Sequence, residues 1–449
     1  MSTVAERPAR IAPPAPARVR DGSVDLVRAA CLGVVVVLHA LMVGVSIGPH
    51  GLVLENALEG WAGFPALTWV AQVMPLFFVL GGFSAYGQWT RMREAGGGYG
   101  DYLAKRVRRL LLPASGALVA TAVLLAGLTL TGLPASVVAT AGFRLGQPLW
   151  FLGVYVLCTA AVPFLAEAHR RRPVAAIGAL ATLALTVDAV RAITGLTAIG
   201  FANLLFVWLL VQQLGFWLAS GRFEGMRRPA LLALAAAGVA VVVVGASCGL
   251  WSLDLYADLN PPATALAAFG VAQLAAFRLL RGRLRAAAER PAIASVVGAV
   301  NARAMTIYSW HMLALIALAG LLLLAGVALP VPLSGAWWAT RPLWIVAAVA
   351  AVGGLVMVAS RTERRPDAAG ASVGPARAIA AAACGAGGVL TALIAGSSPS
   401  GWVIASVLVL AALRIARRSR DRAPSVARLG APRPEKEQTW RPTPSSRKC

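Results

Sequence analysis

Arg28 and His39 stand eleven residues apart inside one apolar run, Asp25-Leu-Val-Arg-Ala-Ala-Cys-Leu-Gly-Val-Val-Val-Val-Leu-His-Ala-Leu-Met-Val-Gly44. At about 100° per residue that spacing turns through about 1,100°, ~20° past three full turns, so the two side chains share one helix face. Along the axis they are separated by roughly 16 Å at ~1.5 Å per residue. In a membrane-crossing helix this places the guanidinium at one edge of the bilayer and the imidazole near its middle. Polar side chains at that depth are costly and face the protein interior or a watery cavity. A neutral imidazole keeps one ring nitrogen as a proton acceptor, which is what a general base needs. The alternative is a structural histidine bonded to a neighbouring helix, and position alone leaves both open.

A second pair of cations lies in Tyr99-Gly-Asp-Tyr-Leu-Ala-Lys-Arg-Val-Arg-Arg-Leu-Leu-Leu-Pro113. Arg106 and Arg109 are i and i+3, so on a helix they share a face. Guanidinium forks bind phosphate bidentately. A basic anchor against lipid headgroups explains the pattern equally well.

Other polar marks are sparser. Met74-Pro-Leu-Phe-Phe-Val-Leu-Gly-Gly-Phe83 combines a helix-kinking Pro75 with Gly81-Gly82, which lets another backbone approach. Helix packing alone accounts for it. Gly146-Gln-Pro-Leu-Trp-Phe-Leu-Gly153, with Trp150, opens a further apolar run, and Ala304-Met-Thr-Ile-Tyr-Ser-Trp-His-Met312 opens another with Tyr308 and His311. Asp188 and Arg191 are spaced to pair as i, i+3. Asn203, Gln212 and Gln213 punctuate a later run. His50 and His169 fall between runs and are given no role.

The elements that must position these groups are membrane helices. The chain has 449 residues, of which 58% are hydrophobic and 13% charged, with mean hydropathy +0.73. Soluble domains sit near roughly 45–50% apolar. Twelve runs fit bilayer crossings, at approximately 26–46, 66–88, 110–132, 148–167, 174–192, 199–219, 229–250, 262–280, 304–327, 341–360, 376–396 and 401–416. The fold expected is all-α, a polytopic bundle of ten spans plus two more. The formal charge of +23 does not point to nucleic acid, because the basic residues sit between apolar runs and in the tails. By these boundaries alternate gaps hold only Arg144, Arg191 and Arg341, while the others carry the basic clusters. The positive-inside rule then predicts a multi-pass protein of the cell membrane with both termini cytoplasmic. Trp61, Trp69, Trp89, Trp337, Trp338, Trp344 and Trp402 fall at span ends and read as an interfacial belt.

Residues 1–22 and 417–449 read as disordered basic tails, and 363–375 as a linker before two additional spans at 376–416. The first apolar run lacks a signal-peptide cleavage site and reads as a retained helix. Cys31, Cys158, Cys248 and Cys384 lie in apolar runs, and Ser446-Arg-Lys-Cys449 is not a prenylation box. No metal-ligand spacing and no internal repeat is evident.

Taken in order, five of these pieces resemble the acyltransferase-3 family of membrane-bound O-acyltransferases: Arg28 with His39; Pro75-Leu-Phe-Phe-Val-Leu-Gly-Gly-Phe83; Arg106-Val-Arg-Arg109; Leu149-Trp-Phe-Leu152; and Thr306-Ile-Tyr-Ser-Trp-His311. The resemblance covers roughly residues 20–362, a membrane domain placed at 23–362, and leaves the last two spans outside. It implies transfer of an acyl group, commonly acetyl, from cytoplasmic acyl-CoA to a hydroxyl on a carbohydrate-like acceptor, as in cell-envelope modification. Acyl-CoA would be a co-substrate, with no tightly bound cofactor and no metal. The resemblance puts catalytic weight on Arg28 and His39 and acyl-CoA binding on Arg106 and Arg109; Asp188, Trp150, Tyr308 and His311 would support them. One departure is Gly81, where the family often has a Ser. No fused hydrolase-like domain follows the membrane body.

Two other classes compete. A transporter of a small organic acid or sugar fits twelve spans with both ends inside, although intramembrane acids are nearly absent. A polysaccharide-assembly scaffold without chemistry would leave the Arg28–His39 phase unexplained.

Overall fold

The computed structural model describes residues 21–48, 51–363 and 372–417. Both tails beyond these bounds, most of the expected linker, His50 and Cys449 lie outside the described residues. The helices run α1 Gly22–Met42, α2 Phe64–Ala71, α3 Met74–Glu94, α4 Tyr99–Leu130, α5 Ala135–Gly146, α6 Trp150–Arg171, α7 Pro173–Thr194 and α8 Thr197–Gly200. They continue as α9 Asn203–Ala219, α10 Arg228–Ser247, α11 Ala265–Ala288, α12 Pro291–Ala302, α13 Ala304–Leu324, α14 Gly335–Thr362, α15 Pro375–Ile394 and α16 Pro399–Ile415. Among the described residues eleven helical segments are long and apolar enough to cross a membrane, and α16, with 17 residues, is a shorter apolar helix. The protein is a multi-pass helical membrane bundle. One antiparallel hairpin, β1 Val43–Gly48 with β2 Gly51–Asn56, follows α1; hydropathy gave no hint of it.

Large apolar side chains such as Val174, Ile193, Leu324 and Ile394 are exposed. In a bilayer this is the stable arrangement, because lipid is as apolar as they are. The spans α7 and α10 carry much of this exposed surface. The centre is aromatic: Trp208 and Phe78 are fully buried and stacked with ring centroids 4.4 Å apart.

Asp21 fixes the start of α1. Its carboxylate accepts from the Ser23 amide at 3.1 Å, capping the helix, and takes the Arg281 guanidinium of α11 at 2.5 Å. Burial alone would push the Asp21 carboxyl up, but the hydrogen bonds from Ser23 and Arg281 prevail and hold it below the usual carboxylate range. At the far end of α1 the Trp344 indole of α14 donates to the Ala40 carbonyl at 2.7 Å.

The expected second span is broken. It is two helices, α2 and α3, separated at Gln72 and Val73 just before Pro75. Gln273 of α11 repairs the break: its side-chain amide donates to the Gln72 carbonyl at 2.7 Å and its oxygen accepts from the Leu76 amide at 2.9 Å. Both backbone groups would otherwise be stranded away from water. Further along α3, a Cβ on Gly82 would strike the Gln212 carbonyl, and a Cβ on Gly215 of α9 would strike the Val79 carbonyl. Backbones of α3 and α9 therefore touch, and the expected close approach is real.

The last two helices are not peripheral. The hairpin of α15 and α16 packs on α4 and α6. The Val373 amide donates to the Asp101 carboxylate at 3.0 Å, and a Cβ on Gly100 would strike the Val373 carbonyl. Trp402 is 2% exposed, with its indole on the Gly396 carbonyl at 2.8 Å. Trp337 is 1% exposed, and Trp344 and Trp89 are also buried, so the expected tryptophan belt is in large part core. These indoles find carbonyl or aromatic partners inside the protein, which removes their reason to seek the interface.

Candidate active site

Helix α1 is uninterrupted from Gly22 to Met42, so Arg28 and His39 lie three turns apart on one rigid rod. The His39 Nδ1 sits 2.9 Å from the Val35 carbonyl oxygen. That oxygen has only lone pairs, so Nδ1 carries the hydrogen and donates it, leaving the Nε2 lone pair available. Against His39 stands His311 of α13, with ring centroids 5.0 Å apart. His311 repeats the arrangement: Nδ1 donates to the Tyr308 carbonyl at 2.7 Å, and Nε2 is buried without a hydrogen-bond partner.

His169 shows what a purely structural histidine looks like here. It is buried in α6, not in a loop as expected, and both nitrogens are used. Its Nδ1 accepts from the Gln213 amide at 3.1 Å, so Nε2–H donates to the Ser220 hydroxyl at 3.1 Å. In His39 and His311, by contrast, the second ring nitrogen forms no hydrogen bond to the described residues.

Arg28 lies over the Phe77 ring, 5.7 Å from its centroid, and its Nε is buried without a hydrogen-bond partner. From Phe77 an aromatic path leads to Phe151 at 5.3 Å, to Tyr308 at 5.1 Å and to His311 at 6.2 Å. The Tyr308 hydroxyl donates to the Pro148 carbonyl at 2.6 Å, which ties α13 to the turn before α6. Trp150 stacks on Trp208 with centroids 5.5 Å apart, and so acts as a wall of this aromatic core.

Arg106 lies on α4 over the Tyr102 ring at 5.7 Å, half-buried, with its Nε buried and unbonded. Arg109 is exposed. The two share a helix face by angle, but α4 runs unbroken through Pro113, and its packing buries the flank that carries Arg106 and leaves Arg109 at the rim. Arg28 and Arg106 approach the same aromatic group: Tyr155 lies 6.3 Å from Phe77 and also neighbours Tyr102.

Asp188 is placed elsewhere. Among the described residues it forms no ion pair with Arg191. Its carboxylate accepts from Asn203 Nδ2 at 2.8 Å, the Trp251 indole at 3.2 Å and the Thr264 amide at 2.8 Å. It is a clasp joining α7, α9 and the segment that leads into α11.

Three residues escaped the sequence reading. Tyr155 of α6 places its hydroxyl 3.2 Å from where a Cβ on Gly81 would be, so a phenol occupies the place a serine side chain would enter. Phe77 carries Arg28. Glu363, at the end of α14, accepts from the Thr306 hydroxyl at 2.6 Å, and burial raises its carboxyl above the usual range despite that bond. Phe77 stands in the Pro75-Leu-Phe-Phe-Val-Leu-Gly-Gly-Phe83 motif, and Glu363 had a signal as a lone acid inside Arg361-Thr-Glu-Arg-Arg365.

No curated protein and no solved structure matches this chain significantly. A family model described as "Acyltransferase domain", that of the acyltransferase-3 family, matches residues 21–360. The match begins at the capping residue of α1 and ends in the last turns of α14, enclosing Arg28, His39, Arg106 and His311. Over three quarters of its length, then, the chain belongs to the acyltransferase-3 family, and the protein is a membrane acyltransferase that moves groups other than aminoacyl groups.

Proposed function

We propose that this acyltransferase moves an acyl group, acetyl foremost, from cytoplasmic acyl-CoA to a hydroxyl of a carbohydrate or glycosylated acceptor at the cell membrane. The observation that carries the reading is the free Nε2 lone pair of His39, held in the bundle interior on the same rod as Arg28. His39 takes the proton of the acceptor hydroxyl, and the oxygen attacks the thioester carbonyl. The carbon–sulfur bond breaks, and CoA thiolate leaves to regain the proton. Arg28 and Arg106, each with a buried unbonded Nε, supply donors for the phosphates and pantetheine amides of acyl-CoA, with Arg109 at the rim. The basic ends of the spans face the cytoplasm, where acyl-CoA is made, and meet anionic lipid headgroups there. The acceptor enters from the opposite side.

The test uses purified protein in nanodiscs with radiolabelled acetyl-CoA, following CoA release and bound label. Saturable binding with slow turnover, the turnover lost and the binding kept in His39→Ala, supports the proposal. A well-folded wild type that binds no acyl-CoA of any chain length overturns it and favours a carrier.

A further inference from the structure

His39 has a partner. We propose that His39 and His311 form a two-imidazole dyad that holds one proton between them, with His311 as the positioning residue that shares the proton His39 removes from the acceptor. This deepens the reading of His39 as general base and rests on it.

Three observations support the dyad. Both rings are fixed in the same tautomer by main-chain carbonyls of their own helices, Val35 for His39 and Tyr308 for His311. Each therefore presents an Nε2 lone pair, and that of His311 is buried with nothing to bond. A buried acceptor left unbonded is costly. His311 itself is 1% exposed, so water cannot easily repay that cost. The ring centroids are 5.0 Å apart. That distance is close to two ring radii plus one hydrogen bond of ~2.9 Å.

With both rings neutral, no hydrogen bond joins them, although the ring centroids are 5.0 Å apart and the planes tilted by 57°. When His39 Nε2 takes the acceptor's proton, it becomes an N–H donor, and the unbonded His311 Nε2 on the adjacent ring is the acceptor it turns to. The bond spreads the new positive charge over two imidazoles in an interior of low dielectric, where a lone imidazolium is costly. The proton then returns to the CoA thiolate, and both rings are neutral again. A second proton is excluded, because two imidazolium charges ~5 Å apart repel strongly where water is absent. Charged or titratable groups on the elements packed against the pair include Arg28 of α1, Tyr308 of α13, Arg106 of α4, Arg144 of α5 and Arg341 of α14. Arg341 is separated from the pair by Trp344, whose ring it covers at 5.5 Å.

The experiment is ¹⁵N NMR of histidine-labelled protein in nanodiscs across a pH series, with His311→Phe and His311→Gln beside the wild type. In the wild type we expect the His39 and His311 Nε2 signals to move together, with one proton per pair. In His311→Phe the His39 signal should titrate alone and at lower pH. Turnover of acetyl-CoA should fall ~10–100-fold in His311→Phe with KM unchanged, as for loss of one charge-assisted bond. His311→Gln, whose amide oxygen still accepts from His39, should recover part of that loss. The dyad is overturned if the His311 signal ignores the titration of His39, or if His39 titrates identically in all three proteins. The NMR result needs no turnover, so a protein inactive on every acyl-CoA would sink the proposed function while the dyad is still judged.

Discussion

His39 is locked to Val35: its Nδ1–H donates to the carbonyl oxygen one turn back at 2.9 Å, and among the described residues the ring forms no other hydrogen bond. The imidazole is held in orientation by one edge while the other edge stays basic. Replacing His39 by Ala or Gln should therefore lower acyl transfer by about 10²–10⁴-fold. The bound amount of acyl-CoA should change little. Equilibrium binding of labelled acetyl-CoA, set beside CoA release, checks this split.

Arg28 and Arg106 make a different prediction. Each change to Ala should remove donors to the donor substrate, weakening acyl-CoA affinity by ~10-fold or more, about 1.5–3 kcal/mol per charge-assisted contact. The double variant should bind too weakly to saturate. Arg109→Ala should cost less, because that side chain stands exposed at the rim. Titrations of the three variants at two salt concentrations decide the order.

Gln273 serves the backbone. Gln273→Leu keeps the volume but strands the Gln72 carbonyl and the Leu76 amide. The expected loss is about 1–3 kcal/mol for each group left unbonded. A thermal melt in detergent should show a clearly lowered midpoint, whereas Gln273→Glu, which retains an acceptor for Leu76, should lose less.

Asp258 gives the pH dependence. It lies in the connection between α10 and α11, 5% exposed, and burial pushes its carboxyl up to about 6 against the Ser252 amide and Arg191. The folded chain thus holds a proton that the unfolded chain, with an ordinary carboxyl near ~4, has already released. Its stabilising contribution is complete below about pH 4 and is lost as pH rises through about 6. Asp258→Asn should be more stable than wild type at pH 7.5 by about 1–3 kcal/mol, with the difference roughly halved at pH 5 and closing near pH 4. Paired melts at these pH values measure it.

Much of the bundle was legible before any coordinates. Ten of the twelve apolar runs are helices near the predicted bounds, because lipid demands about 20 apolar residues and the sequence supplies them. The phase of Arg28 and His39 survived because α1 is straight. What failed depended on neighbours far away in sequence. Pro75 marked the break in the second span, but the glutamine that satisfies it lies 197 residues from Leu76. The angle between Arg106 and Arg109 was right, yet which of the two is buried is decided by the helices against α4. Tryptophans counted as an interfacial belt went inward because carbonyls such as those of Ala40 and Gly396 await them. Nothing local in the sequence could pair His39 with His311.

The hairpin of α15 and α16 sets a timetable. The Val373 amide and the Asp101 carboxylate that receives it are 272 residues apart, and Asp101 opens the helix that bears Arg106. During synthesis α4 enters the membrane early and spends most of translation without the neighbours that fix it. Its flank against α15 and α16 must be occupied by lipid, or by a helper protein, until the final helices emerge. A ribosome that stops after residue 360 would release every residue of the family match and still leave the arginine-bearing helix without its contacts to α15 and α16. The packing around α4 is thereby complete only once the chain has been translated through Ile415.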